Sequence, residues 1–388
     1  MRQLSPPMKI LDLFCGTGGF SNGFEKARNA RFETVFGVDI LPNSIETFRR
    51  NHPSALGVCG DIRRLRCEDI QEKLKLRRGE LALIIGGPPC QGFSSIRPFR
   101  SSNEDDPRNT LFEQFANFVN WFRPRALVME NVVGLATHHG GQTIGEIERC
   151  FGDLGYDCEW RILNAATFGV PQRRERLILI GVQKGAKIAF PEPTHLSDGS
   201  TIGHRNKSKM LLAQDDLFST KKLNAPVTVM DAIGDLPAIQ SGECATAYDR
   251  PPLTEYQRER RNGNKHLKLH FSTAHTPKML EIIRHSGRNI SSIPSHLISS
   301  GFSSCYSRLD GGMTSVTITV NFVHPASNRC IHPSCDRALT PREGARIQSF
   351  DDEFEFSGNR SQIVKQIGNA VPPLLGRAIG EALGPSLA

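Results

Sequence analysis

The sequence predicts an α/β fold, with a Rossmann-like sheet in a larger domain and a second, smaller domain. Three observations predict it. Short apolar runs of strand length end in glycine or an acid, a glycine turn joins the first run to a helical stretch, and from about Phe190 the texture changes to Pro, Ser, Asp, His and Lys. The chain has 388 residues, and a prior of roughly 150 residues per domain suggests two or three domains. We assign 1–190 with 358–388 to the larger domain, 191–336 to the smaller one and 337–357 to a connecting hinge segment.

Lys and Arg outnumber Asp and Glu by 48 to 40, and the net charge of +8 favours a polyanionic partner without establishing one. The ten cysteines are scattered, and the N-terminus lacks a charged-then-apolar secretory pattern, so reduced thiols and a cytoplasmic location are expected. No apolar stretch approaches the ~18 residues of a membrane span. A soluble protein without a membrane partner is expected.

Met8 to Phe14 reads as the first strand and breaks into Cys15-Gly16-Thr17-Gly18-Gly19-Phe20 before a helical stretch. Glycines there let a ligand approach the backbone, but Gly-x-Gly-Gly is not the full dinucleotide fingerprint. The run Thr34 to Val38 ends at Asp39, where nucleoside-binding folds place an acid on ribose hydroxyls. A third element ends at Gly60-Asp61-Ile62, a carboxylate beside an apolar side chain, suited to an adenine amino group and its ring. Three strand ends thus carry acceptors for an adenosine, and none offers a basic phosphate clamp. S-adenosylmethionine fits this better than ATP or NAD.

Leu81, Leu83, Ile84 and Ile85 form a buried-strand run that Gly86 and Gly87 end, and Pro88 and Pro89 then stiffen the backbone before Cys90. A thiol held at a strand's C-terminal edge suits a nucleophile, although free cysteines are commonly small buried hydrophobes. Gln91 to Asn109 is rich in Ser, Arg, Asp and Pro, a long loop of the kind that forms lids. A helix from Asn109 or Thr110 carries Leu111, Phe112, Phe115, Phe118 and Val119 on one face. Ala126 to Met129 is another strand, ending at Glu130-Asn131-Val132, with Glu130 placed for acid chemistry if it is not merely at the surface. Gly169 to Arg176 leads into the strand Leu177 to Val182, and Arg173, Arg174 and Arg176 at its mouth suit carboxylate or phosphate, or form a solvated charge run.

In the smaller domain, Thr228 to Asp231 reads as a helix start, and Thr276 before Pro277 as an N-cap whose helix ends near Gly287. Val316, Ile318, Val320 and Phe322 alternate with polar residues as in a half-buried strand, preceded by Arg308 to Gly312, a turn that could reach a groove. Cys330, His332 and Cys335 invite a zinc reading, but a paired second cluster is lacking, and no metal is assigned. Gln366 to Pro373 precedes a helical tail, Leu374 to Leu383.

In this order, these motifs resemble those of the C5-cytosine-specific DNA methyltransferases, bacterial type, over the first ~190 residues and the last ~50. The resemblance matches the cofactor motif to Asp12–Phe20, the catalytic motif to Gly86–Ser94, Glu-Asn-Val to Glu130–Val132 and Gln-x-Arg-x-Arg to Gln172–Arg176. Its C-terminal motifs match Arg337–Phe350 and Gln366–Pro373, with one departure at Phe350-Asp351-Asp352, where many members carry proline after the phenylalanine.

The family fold is a Rossmann-like S-adenosylmethionine-dependent methyltransferase domain with a smaller target-recognition domain and DNA in the cleft. The resemblance implies that Phe14, Gly16, Gly18, Asp39, Ile40, Asp61, Ile62, Pro88 and Asn369 surround S-adenosylmethionine, with S-adenosylhomocysteine as product. It implies that Cys90 adds to carbon 6 of a flipped-out cytosine, that Glu130 stabilises the ring, and that Arg176 with Arg174 orients Glu130 and the base. Gln91, Ser94, Arg97, Arg308 and Thr317 are the expected contacts to double-stranded DNA. A monomer at the nucleoid is expected, either in a restriction-modification system whose endonuclease forms no stable complex with it or as an orphan methylase. An enzyme acting on transfer RNA and a catalytically silent DNA-binding relative are the rivals. Gly92-Phe93-Ser94 after the cysteine matches the DNA enzymes, and both the nucleophile and the cofactor motif are present.

Overall fold

In the computed structural model, residues 6–89, 110–197, 222–298, 301 and 303–387 are described. The larger part begins with β1 (Met8–Leu13), α1 (Gly19–Glu25), β2 (Phe32–Asp39), α2 (Pro42–Asn51), β3 (Leu56–Cys59), α3 (Cys67–Leu74) and β4 (Leu83–Gly86). It continues with α4 (Thr110–Phe122), β5 (Ala126–Asn131), α5 (Gln142–Asp153), β6 (Tyr156–Asn164) and β7 (Glu175–Gln183). The strands form one seven-stranded sheet in the order β3-β2-β1-β4-β5-β7-β6. β1 to β5 pair in parallel, whereas β7 runs antiparallel to both β5 and β6. The C-terminal ends of β1 to β6 therefore share one edge with the entry of β7.

Alternation along the strands feeds two apolar clusters. Ile10, Leu83, Ile85, Val128, Ile178 and Ile180 belong to one. Leu11, Ile84, Leu127, Met129, Leu177 and Leu179 belong to the other, with Phe115, Phe118 and Phe122 of α4. Burial on both faces explains why these strands read as nearly continuous apolar runs. β6 is the exception, an edge strand whose Asp157, Glu159 and Arg161 keep partly exposed positions between Tyr156, Trp160 and Ile162. Among the described residues no helix is long and apolar enough to cross a membrane.

The remaining helices are α6 (Val229–Ile233), α7 (Glu255–Arg261), α8 (Pro277–Arg284), α9 (Pro341–Ile347), α10 (Arg360–Asn369) and α11 (Pro373–Leu387). Thr228 and Asp231 close a capping box on α6, and Thr276 caps α8 ahead of Pro277, as the sequence indicated. The alternating stretch Val316 to Phe322 is not a strand. It makes one bridge, Gln172 to Ser315, and then spends its polar groups on the 171–173 loop, so no partner strand runs beside it.

The stretch 337–357, assigned above as a connecting hinge segment, is one of the most buried parts of the described chain. Arg337 pairs with Glu343 at 2.7 Å, and Arg346 holds Asp352 at 2.6 Å and Asp235 at 3.1 Å, all essentially without exposure. The Asp351-Asp352 departure has its reason here. Asp352 also accepts from Tyr248 Oη and faces Arg342, while Asp351 faces Arg260 and Lys26, so two carboxylates compensate cations that apolar surroundings would otherwise penalise.

α11 lies against α1 so closely that a Cβ on Gly23 would sit 2.2 Å from the Pro373 carbonyl oxygen and 2.9 Å from Gly376 Cα. Neither backbone atom can rotate away. Gly23→Ala is therefore expected to cost ~1–3 kcal/mol in urea unfolding. Gly152→Ala on α5, where nothing stands within 4 Å of the new methyl, is expected to hold stability or raise it by up to ~1 kcal/mol.

Candidate active site and cofactor cradle

The turn after β1 is built on left-handed backbone: Phe14, Gly16 and Gly18 have φ of 59°, 52° and 78°. Asp39 at the end of β2 fixes it, one carboxylate oxygen accepting from the Gly16 amide at 3.0 Å and the other from Leu41 at 2.9 Å. Burial raises the Asp39 pKa above the usual carboxylate value despite these bonds. A Cβ on Gly16 would meet nothing within 4 Å, so the turn faces open space, and Ile40, 64% exposed, supplies apolar surface beside it. Asp61 caps the turn after it through the Arg63 amide and pairs with the Arg63 guanidinium at 2.6 Å. Ile62, expected to pack a ring, is buried in the α4-side apolar cluster. The exposed apolar surface at this edge belongs instead to Ile40 and Leu41.

Beneath the turn, Ser21 Oγ donates to Asp12 at 2.7 Å, and burial pushes the Asp12 carboxyl up to about 7 against that bond and the nearby His52. His52 stacks on Phe48 and places its ring nitrogens 3.2 Å from Glu25 and 3.1 Å from the Gly18 carbonyl oxygen. Burial works against its proton, but Glu25 and this carbonyl outweigh it and hold the imidazole pKa above its ordinary value.

At the centre of the same edge, Glu130 pairs in register with Ile178, and Arg176 stands two residues earlier on β7, on the same face. Arg176 Nε meets Glu130 Oε1 at 2.7 Å, each side chain 15% exposed. Asn131 Nδ2 donates to the Pro88 carbonyl at 2.9 Å, tying the Pro-Pro turn to the end of β5. Gly87 leaves room for that carboxylate, since a Cβ would come within 2.9 Å of Glu130 Oε2. Cys90, Gln91, Ser94 and Arg97 lie outside the described residues.

Arg174 differs from Arg176. Its buried guanidinium donates to the carbonyls of Gly368 at 3.0 Å and Ile318 at 3.4 Å, and Nε has no partner. Burial first, then the like charge of Arg176, weakens its hold on its proton, with Glu130 opposing. Next to it, Gln172 accepts from the Ile318 amide at 2.8 Å and donates to Gln348 at 2.8 Å, and Gln348 donates to the Ile367 carbonyl at 2.7 Å. Thr317 Oγ1 donates to the Arg173 carbonyl at 2.7 Å. Asn369 is the exposed last residue of α10.

The sequence-level pattern of the C-5 cytosine-specific DNA methylases matches residues 8–385. The chain belongs to that family. Its activity is that of a DNA cytosine-5 methyltransferase, and methyl transfer in this family implies S-adenosylmethionine. The type II methyltransferase M1.HphI of Haemophilus parahaemolyticus is 35% identical over 97% of this chain and 86% of its own length. M.AgeI of Thalassovita gelatinovora, also a type II methyltransferase, is 30% identical over 97% and 99%. A solved structure described as a DNA modification methyltransferase encoded within an E. coli prophage superposes with a TM-score of 0.69 at 28% identity, covering 97% of this chain and 98% of that one. The S. pombe Dnmt2 methyltransferase shares the fold, with a TM-score of 0.59 at 16% identity and coverage of 98% and 99%.

For this methylase, sequence reasoning gave roles to Glu130 and Arg176 but none to Asn131 and Gln348, buried amides inside the motifs matched at 130–132 and 337–350. Arg308 turns inward, donating to the carbonyls of His332, Cys335 and Ile283 and pairing with Asp336 at 2.8 Å. His332 Nδ1 accepts from the Ser334 and Cys335 amides, and among the described residues no group of three metal-ligating side chains is gathered.

Asp12 gives a pH signature. The folded protein holds its proton to about pH 7 while the unfolded chain releases it near 3.8, so this group's contribution to stability declines as pH rises between those values. Asp12→Asn removes the titration. The stability of wild type relative to this variant is expected to fall between about pH 4 and about pH 7 in urea unfolding.

Proposed function

We propose that this enzyme methylates carbon 5 of a cytosine flipped out of a specific site in double-stranded DNA, through a covalent adduct between Cys90 and carbon 6. The observation that carries the reading is the Glu130–Arg176 pair, held against the Pro-Pro turn by the Asn131 bond to Pro88, at the sheet edge that also carries the Asp39-fixed glycine turn. A carboxyl group, the Pro-Pro turn that leads to Cys90 and a cofactor cradle thus share one sheet edge.

The residues present fit S-adenosylmethionine. The Gly16 turn faces open space, Asp39 is fixed by two amides, and Ile40 offers exposed apolar surface. Phe14, Gly16, Gly18, Asp39, Ile40, Asp61, Ile62, Pro88 and Asn369 are the residues we assign to it, with Ile62 acting from beneath the surface and Asp61 in company with Arg63. S-adenosylmethionine supplies an electrophilic methyl group and leaves as S-adenosylhomocysteine.

Carbon 5 of cytosine is too weak a nucleophile for that methyl group. The Cys90 thiolate forms a bond to carbon 6, and electron density moves through the ring towards carbon 5. Glu130, sharing a proton with the ring at N3 and facing the exocyclic amine, stabilises the charge. Arg176 fixes the carboxyl orientation, and Arg174 anchors the strand mouth to Gly368 and Ile318. After transfer, a base removes the carbon 5 proton, the carbon–sulfur bond breaks and aromaticity returns. The target cannot react inside the stack, so flipping costs a few kcal/mol that protein contacts offset. We assign closure over the base to the Gln91–Asn109 loop, with Gln91, Ser94 and Arg97 on DNA, and site choice to the smaller domain around Thr317. We assign a monomer that serves a restriction-modification system without a stable endonuclease complex, or acts as an orphan methylase; the type II names of its relatives support the former role.

Bisulfite sequencing of DNA from cells expressing the protein is expected to show protection from conversion at one cytosine within one sequence context. Cys90→Ala is expected to lose methyl transfer by on the order of a thousandfold or more, and to form no adduct with a 5-fluorocytosine duplex that traps wild type. Glu130→Gln is expected to lower turnover by ~10²–10⁴-fold with the adduct still forming slowly. Undiminished transfer by Cys90→Ala would refute the covalent route.

A further inference from the structure

A second concentration of positive charge lies beside the strand mouth. A cavity of about 240 Å³ is lined by Arg173, Arg288, Arg308 and Arg329, with Asp310 the one acid among its described lining residues. The four guanidinium groups are not equivalent. Arg308 is committed inward to three carbonyls and Asp336. Arg329 donates through Nη2 to the Arg288 carbonyl, while its Nε is buried with no acceptor. The Arg288 side chain is 92% exposed and reaches Asp310 only at 3.9 Å. Arg173 springs from a fixed point, its amide bonded to the Ser315 carbonyl at 2.8 Å and its carbonyl to Thr317 Oγ1 at 2.7 Å, one residue from Arg174.

Like charges this close repel unless an anion joins them. Burial, then the charges of Arg173 and Arg288, pull the Arg329 pKa below its ordinary value, with only Asp310 opposing. A bound anion would reverse that balance and give the orphaned Nε an acceptor. The lining offers no described aromatic face on which a free nucleotide's base would stack. Its fork-shaped donors match phosphate oxygens.

We propose that Arg173, Arg288 and Arg329 form a clamp for a phosphodiester of the DNA backbone, which anchors the duplex beside the reacting cytosine rather than at it. The clamp rests on the reading of the chain as an enzyme acting on duplex DNA. It shifts the DNA contact expected at Arg308 onto Arg173, Arg288 and Arg329, with Arg308 bracing Ile283, His332 and Cys335 beside them. Phosphate contacts of this kind set register and carry no base information.

The test is equilibrium binding of a fluorescent alternating A·T duplex, which contains no cytosine, over a range of salt concentrations. Each arginine that neutralises a phosphate contributes about one to the slope of log affinity against log salt. Arg288→Ala and Arg329→Ala are each expected to lower that slope by about one, and the double variant by about two. Arg288→Lys and Arg329→Lys are expected to retain most of it. Because Arg288 is at the surface, Arg288→Ala carries the test even if Arg329→Ala fails to fold. An unchanged slope in Arg288→Ala, in a protein that still methylates cytosine-containing DNA, overturns the clamp alone. A wild-type protein that neither binds duplex nor methylates it overturns the clamp together with the reading beneath it.

Discussion

The reversal of β7 is the constraint from which the site follows. In a wholly parallel sheet one edge receives only strand exits, and the side chains there come from turns that leave the sheet. By running against β5, β7 brings its entry to that edge, so a cation on an incoming strand stands diagonal to an acid on an outgoing one. The resulting Glu130–Arg176 bond at 2.7 Å joins two rigid ladders rather than two loops, which fixes the carboxyl group without help from a bound molecule. Asn131, the next residue on β5, extends the same rigidity to the Pro-Pro turn through Pro88.

Around that pair the protein uses polar groups where apolar packing alone would leave the pieces free to slide. Gln172, Gln348 and the carbonyls of Ile318, Ile367 and Gly368 connect the strand mouth, α9, α10 and the 315–318 stretch through buried hydrogen bonds. Such a network specifies geometry only while its members remain satisfied. Arg337 and the arginines of α9 add a second network, compensated by Glu343, Asp235 and Asp352. Together they make the segment between the two sequence regions a buried joint.

Much of this was legible in the sequence because it rests on local rules. Strand runs ending in Gly87, Asp39, Asp61 and Glu130 follow from burial on both sheet faces, and the caps at Thr228 and Thr276 follow from backbone amides that lack partners. What was not legible depends on distant partners. The alternation of Val316 to Phe322 suits a strand, but a strand needs a neighbour, and the Gln172 side chain and the Arg173 carbonyl take that place. Arg308 reads as a groove contact until its three carbonyl acceptors and Asp336 are seen. The edge strand Tyr156–Asn164 was not read from the sequence, because the charges between Tyr156, Trp160 and Ile162 resemble a solvated loop. Ile62 fits an adenine-packing role by position, yet its neighbours in space are core residues.

The packing of α11 on α1 has a consequence for biosynthesis. Phe20 and Phe24 are covered partly by Ile379 and Leu383, residues distant in the chain, and the glycine turn that precedes α1 is braced from the same side. A nascent polypeptide halted before residue 373 would leave those aromatic rings uncovered and its first turn unsupported. Ribosomes releasing shortened products would thus yield chains marked for proteolysis or aggregation rather than partly active enzymes. Methyl transfer to the genome therefore awaits translation of this closing helix.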